Sequence, residues 1–236
     1  MMKRTKITIF RFSMLLLAYL LFIFLGAKYR LIVLLISLLS ALLFGRLWCG
    51  YVCPLGFYQE ILSFLRKNTR IPSVHNSKMV QLLVRGLKWI VFAGFLFSVV
   101  FWGLRPSIYI RPDQLFTNVR TSVWWLILTG VFIGLCFVQE RFFCKICPLG
   151  ALRGIFNRGS FSRIRKAPQV CTHCRACLEC CPMDIESIYL EREKKDVTHS
   201  DCIYCMKCIE ACPEEDALSF TVLGKKVLTS HRKRSK

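Results

Sequence analysis

Residues 171–182, CTHCRACLECCP, and residues 202–213, CIYCMKCIEACP, decide how the last third of this chain must be built. Each run holds three cysteines separated by two residues, then a fourth after three more, then a proline. Three thiolates on one tight loop can wrap one face of a cubane metal–sulfur cluster, and the fourth vertex must be met from elsewhere. In paired runs of this spacing the fourth cysteine ligates the other run's cluster. The expected ligand sets are therefore Cys171, Cys174, Cys177 and Cys212 for one [4Fe-4S] cluster. Cys202, Cys205, Cys208 and Cys181 are expected to hold the other. Exchange of the fourth ligand ties a small domain together, and Pro182 and Pro213 end each run with a fixed backbone direction.

Isolated C-x-x-C pairs would suit structural zinc, but two complete runs closing in C-P favour iron–sulfur ligation. Cys180 is surplus to the pattern and reads as a packed, unligated thiol. His173 reads as a solvated residue or a weak tuner of potential. Arg175 and Lys207 bring positive charge to the two loops, which favours a reduced cluster.

The 236-residue chain carries fourteen cysteines. Their spacing points to ligation rather than a disulfide framework, and so to a reducing compartment. The formal charge is +20, yet the basic residues flank apolar segments instead of gathering in one groove. That argues against a nucleic-acid partner. The HRKRSK tail reads as a solvated or lipid-facing end.

Four apolar segments, residues 7–26, 31–48, 87–104 and 122–138, have about the length that crosses a bilayer. Arg11 and Lys88 lie near segment ends, where long basic side chains can snorkel. Trp48, Trp89, Trp102, Trp124 and Trp125 sit where interfacial aromatics do. Basic residues are dense before the first segment and after the second and fourth. Only Lys28, Arg30, Arg105, Arg111 and Arg120 lie in the other two loops. The positive-inside rule then puts both termini in the cytoplasm. The expected fold is mainly α: a four-helix transmembrane bundle of two parallel-repeat hairpins over residues 1–166. A small α+β ferredoxin-like domain with two [4Fe-4S] clusters follows over 167–223, then a basic tail over 224–236.

The repeat shows in two short motifs, RLWCGYVCPLG at residues 46–56 and RFFCKICPLG at residues 141–150. Each has an arginine three positions before a cysteine, an aromatic directly before it, and C-P-L-G at its end. Cys49, Cys53, Cys144 and Cys147 are thus a candidate redox or metal site, a third metal or iron–sulfur position beside the two clusters. Residues 57–70 read equally as an interfacial amphipathic helix or as a soluble linker. His75, His173, His199 and His231 lie outside the apolar segments, which disfavours a haem held by paired histidines. No C-x-x-C-H and no G-x-G-x-x-G occurs, so no catalytic side chain or hydride site is singled out. Single-electron transfer is the chemistry expected.

With four apolar segments, paired C-P-L-G motifs and a two-cluster C-terminal domain, the chain resembles the NapH/NosR-type membrane ferredoxins. It looks closest to the NapH-like quinol dehydrogenase membrane component. The family motif is C-x3-C-P. Cys49, Cys53 and Pro54 match it, whereas Cys144, Cys147 and Pro148 have one residue fewer between the thiols. The flavin-bearing domain of longer NosR-type members has no counterpart here. The resemblance implies electron exchange with the membrane quinone pool or a membrane redox partner, in support of a reductase system. Two other readings stay open: a copper- or metal-handling reductase for metalloenzyme assembly, and a membrane-anchored ferredoxin without quinone chemistry. Expected partners are membrane lipid, a quinone and a redox protein, at the cytoplasmic membrane.

Overall fold

The computed structural model describes residues 6–25, 30–69, 78–102, 123–191, 193 and 195–231. The loop positions Lys3, Arg4, Lys28, Arg70, His75, Arg105, Arg111 and Arg120, and the end of the tail, lie outside them. Long helices come first: α1 (Lys6–Leu25), α2 (Arg30–Phe44), α5 (Lys78–Trp102) and α6 (Val123–Val138). After α2 come a short helix α3 (Leu47–Tyr51) and α4 (Pro54–Asn68). After α6 the same pattern returns as α7 (Phe142–Ile146) and α8 (Pro148–Asn157). Pro54 and Pro148 each open a helix, where a missing N–H costs nothing and φ is already set.

The expected four-helix transmembrane bundle is not what the chain forms. Among the described residues, no helix is long and apolar enough to cross a membrane. The physical reason is charge placement and length. Arg11 is buried within α1 and Lys88 within α5, so neither snorkels. The uncharged stretches beyond them, residues 12–25 and 89–102, extend about 21 Å at 1.5 Å per residue. The 15 residues of α2 and 16 of α6 reach about 22–24 Å, short of a hydrocarbon core of about 30 Å. The architecture is mostly helical with one small sheet.

The helices nonetheless turn large apolar side chains outward, among them Leu17, Leu39, Ile90 and Phe101. Their inward faces hold Leu15, Ala41 and several charged groups. Packing is crosswise between the halves. Helix α4 lies against α1 and α6, while α8 lies against α5 and α2. Residues 57–70, open between helix and linker, continue α4 to Asn68 and bury Phe57, Gln59, Ser63 and Arg66.

The remaining chain forms an antiparallel sheet in the order β1-β2-β3, with β1 (Ser162–Lys166), β2 (Leu218–Val222) and β3 (Lys225–Thr229). Short helices α9 (Ala176–Glu179), α10 (Ser187–Leu190) and α11 (Lys207–Ala211) lie between β1 and β2. Ile164 pairs with Phe220, and Phe220 with Leu228. These residues pack with Ile185, Ile203, Tyr204 and Ile209 into a core that includes Cys181, Cys202, Cys208 and Cys212. So small a core needs staples, and its thiols lie where staples are required.

Candidate functional site

The loops before α9 and α11 bend alike. Backbone φ is positive at His173 and Arg175 in one and at Tyr204 and Met206 in the other. These are the same two offsets after Cys171 and Cys202. Non-glycine residues avoid this region, so the matched pairs mark one tight wrap used twice. The register sets Arg175 against Met206 rather than Lys207. The Arg175 guanidinium lies 5.4 Å from the Tyr189 ring centre at the surface, whereas Lys207 Nζ donates to Glu140 over 3.1 Å.

The two cysteine runs meet crosswise. Cys177 shares an electrostatic neighbourhood with Cys171, Cys174 and Cys212. Cys208 shares one with Cys202, Cys205, Cys181 and the surplus Cys180. Each thiol is free of disulfides. The quartets differ in depth: in the first, Cys174 is exposed, Cys171 and Cys177 half-buried and Cys212 buried, while in the second Cys181, Cys202 and Cys208 are buried and Cys205 half-buried. Among the described residues, no three His, Cys, Asp or Glu side chains converge as one metal ion requires. A cubane takes each thiolate at a different iron and needs no such convergence, so these looped, interleaved quartets fit a cluster.

The C-P-L-G cysteines come together as well. Cys53 lies in the electrostatic field of Cys49 and Cys144, and Cys147 in that of Cys49, Cys53 and Cys144. Each half reaches into the other. Arg153 Nη1 lies 3.6 Å from Cys49 Sγ, and Gln59 Nε2 lies 3.5 Å from Cys144 Sγ. Arg46 Nη2 donates to the Cys144 carbonyl over 2.9 Å. A Cβ on Gly150 would meet that Nη2 at 2.7 Å, and one on Gly56 would meet Arg141 Nη1 at 2.6 Å. The motif arginines and glycines are therefore mutual lock and slot. Gln59 and Arg153 escaped notice in the sequence, although both stand six residues after the second cysteine of their motif.

Charge around these thiols is dense and paired through the fold. Glu60 accepts from Arg11 and from Arg141 Nη2, the latter over 2.8 Å. Asp201 accepts from Lys88 Nζ over 2.6 Å and Arg46 Nη1 over 3.2 Å. Lys145 pairs with Asp184, and Arg66 and Lys207 with Glu140. Burial works to raise the Glu60 carboxyl, but Lys207, Arg141 and Arg11 outweigh it and hold it well below the usual range. Burial likewise opposes ionisation at Cys49, yet Arg153 and Arg46 keep that thiol below its ordinary value. Burial and the neighbouring Cys49 and Cys144 push Cys53 up to about 11. Gly50 packs on the backbone of Ile203 and Tyr204, so the first motif touches the loop that carries Cys202 and Cys205.

Comparison with known proteins places these features in context. A family profile described as a 4Fe-4S binding domain matches residues 27–72 and 121–168, one match for each C-P-L-G half. A 4Fe-4S dicluster domain profile matches residues 163–213. The chain is 32% identical over 158 residues to an uncharacterized protein of Methanocaldococcus jannaschii, covering 65% of each. It is 29% identical to the methylamine utilization ferredoxin-type protein MauN of Paracoccus denitrificans, over 63% of this chain and 52% of MauN. It is 27% identical to the ferredoxin-type protein NapH of Haemophilus influenzae, over 62% of this chain and 51% of NapH. The matched part thus spans about half to two thirds of these relatives' length. No solved structure matches the chain.

Proposed function

The chain belongs to the NapH-like family of 4Fe-4S ferredoxin-type proteins, and on that premise we propose that it relays single electrons between a quinol at a membrane surface and a soluble carrier. Iron–sulfur electron transfer is the family's common ground.

Residues assigned to one [4Fe-4S] cluster are Cys171, Cys174, Cys177 and Cys212. Those assigned to the other are Cys202, Cys205, Cys208 and Cys181. Such clusters, when bound, each accept and release one electron at a potential set by charge, hydrogen bonds and exposure. The observation that carries the reading is the difference in depth between the quartets. Three thiols of the second set, Cys181, Cys202 and Cys208, are buried, against Cys212 alone in the first, where Cys174 faces solvent, and the Cys202 loop packs on Gly50 of α3. The deep set therefore lies on the donor side and the exposed set on the side of a soluble acceptor. One quinol yields one quinone, two protons and two electrons, which leave singly to reduce two one-electron carriers. The outward apolar side chains of α1, α2, α5 and α6 form the surface that rests on lipid at the cytoplasmic face, since apolar patches of this extent mark interaction sites.

The test is anaerobic stopped-flow reduction of the full chain by a short-chain quinol, followed by the cluster absorbance, with liposome flotation of the same sample. Cluster bleaching by quinol and flotation with vesicles are expected. Clusters that dithionite reduces and quinol leaves untouched would refute the quinol as donor. A copper-handling role draws on the four C-P-L-G thiols, which are soft ligands; stoichiometric Cu(I) binding lost in Cys49→Ser would favour it.

A further inference from the structure

We infer that Cys49, Cys53, Cys144 and Cys147 hold a third iron–sulfur cluster, set between the apolar helices and the deep quartet of the dicluster domain. The inference deepens the electron-relay reading above and rests on it.

Four observations converge. First, two five-residue helices, α3 and α7, each present one cysteine and hand the chain to a second cysteine ahead of proline. The two pairs are joined across the halves, Gln59 of the first reaching Cys144 and Arg153 of the second reaching Cys49. Four thiolates from two loops are the ligand set of [2Fe-2S] and [4Fe-4S] clusters alike. All four are free thiols despite their shared neighbourhood.

Second, the sulfurs are already approached by donors. Gln59 Nε2 lies 3.5 Å from Cys144 Sγ, Arg153 Nη1 lies 3.6 Å from Cys49 Sγ, and the Gly150 N–H lies 3.4 Å from Cys147 Sγ. Hydrogen bonds to ligand sulfur are one of the ways a protein sets a cluster's potential.

Third, the enclosure is cationic. Arg46, Arg141 and Arg153 are buried around the motifs. Arg153 Nη2 goes to the neutral Ser37 hydroxyl over 2.7 Å. Arg46 Nε and Arg141 Nη1 are buried without a hydrogen-bond partner. Asp201 and Glu60 offset Arg46 and Arg141; Arg153, which approaches Cys49 Sγ, is the cation that an anionic four-thiolate cluster would complement.

Fourth, the place suits a relay. Gly50 abuts the Ile203–Tyr204 backbone, and Arg46 bridges the Cys144 carbonyl to Asp201, next to Cys202. An electron passing from this centre to the Cys202 loop crosses a van der Waals contact. It oxidises one centre by one unit and reduces the next by one, with no bond or proton moved.

The test is iron and acid-labile sulfide per chain in the full protein purified anaerobically, with copper and zinc measured in the same sample. EPR is recorded before and after dithionite. Two [4Fe-4S] clusters account for about eight irons. The expected result is about two to four irons beyond that, with matching sulfide. The excess should vanish in Cys144→Ser/Cys147→Ser while the dicluster EPR signal persists. About eight irons in the wild type, or an excess made of copper or zinc, would overturn the inference and leave the dicluster reading standing. Iron well below about eight, unchanged by the double substitution, would overturn both. Should the double variant fail to accumulate, wild-type stoichiometry decides, with Cys53→Ser as the second variant.

Discussion

Glu60→Gln tests the ion network that joins the two halves. The Glu60 side chain is 12% exposed and faces Arg11 and Arg141, which are 1% and 2% exposed. The substitution keeps shape and one acceptor but removes the charge, leaving two buried guanidiniums against a neutral amide. Removing one partner of a buried ion pair costs about 3–5 kcal/mol. For a chain of this size each kcal/mol moves the melting midpoint by about 2–4 °C, so Tm should fall by roughly 6–20 °C. The sign with pH follows from the carboxyl's lowered value. Its contribution is fully present above the unfolded glutamate value of about 4.3 and is lost only as pH falls through the lower, folded value. The gap between wild type and variant should therefore be full at neutral pH and narrow on acidification below that range. The assay is anaerobic differential scanning of cluster-loaded protein, with Asp216→Asn as control. Asp216 is 58% exposed and 3.9 Å from Lys226, a surface pair worth about 0–1 kcal/mol. A Glu60→Gln shift no larger than the control's would refute the buried-network account.

Further outcomes are expected elsewhere. Gly50→Ala places a Cβ against the Ile203 carbonyl and should destabilise by about 1–3 kcal/mol, read as a lower Tm with faster loss of cluster absorbance. Gly86→Ala, in α5 with open space around it, should instead stabilise by about 0.5–1 kcal/mol; a loss of stability would show that its face is covered. Limited exposure to air should bleach the EPR signal that Cys174→Ser removes before the signal that Cys208→Ser removes, because Cys174 is exposed and Cys208 buried. Chelating the iron should abolish hydrogen-exchange protection at Phe220, since Cys181, Cys202, Cys208 and Cys212 belong to the same core; protection that survives would mean the sheet holds without its staples.

Cysteine spacing in the sequence predicts crossed ligand sets, because the C-x2-C-x2-C-x3-C-P run has few other uses and the constraint is local. The repeat of Arg46–Cys49 and Arg141–Cys144 is equally legible, and three of the four long helices begin within a residue of their apolar segments, while α5 starts nine residues earlier at Lys78. What the apolar segments could not reveal is the fate of their charges. Arg11 and Lys88 look like interfacial anchors in one dimension, yet they pair inward with Glu60 and Asp201. Their partners lie 49 and 113 residues away, where hydropathy and loop charge carry no signal. The exchange between motifs was hidden for the same reason. Gln59 and Arg153 each reach the other half's first cysteine, 85 and 104 residues distant. Local chemistry settles which residues can ligate. Only packing of α4 and α8 across the halves, set by the glycine slots and the arginines that fill them, determines that four separate C-P-L-G thiols share one enclosure.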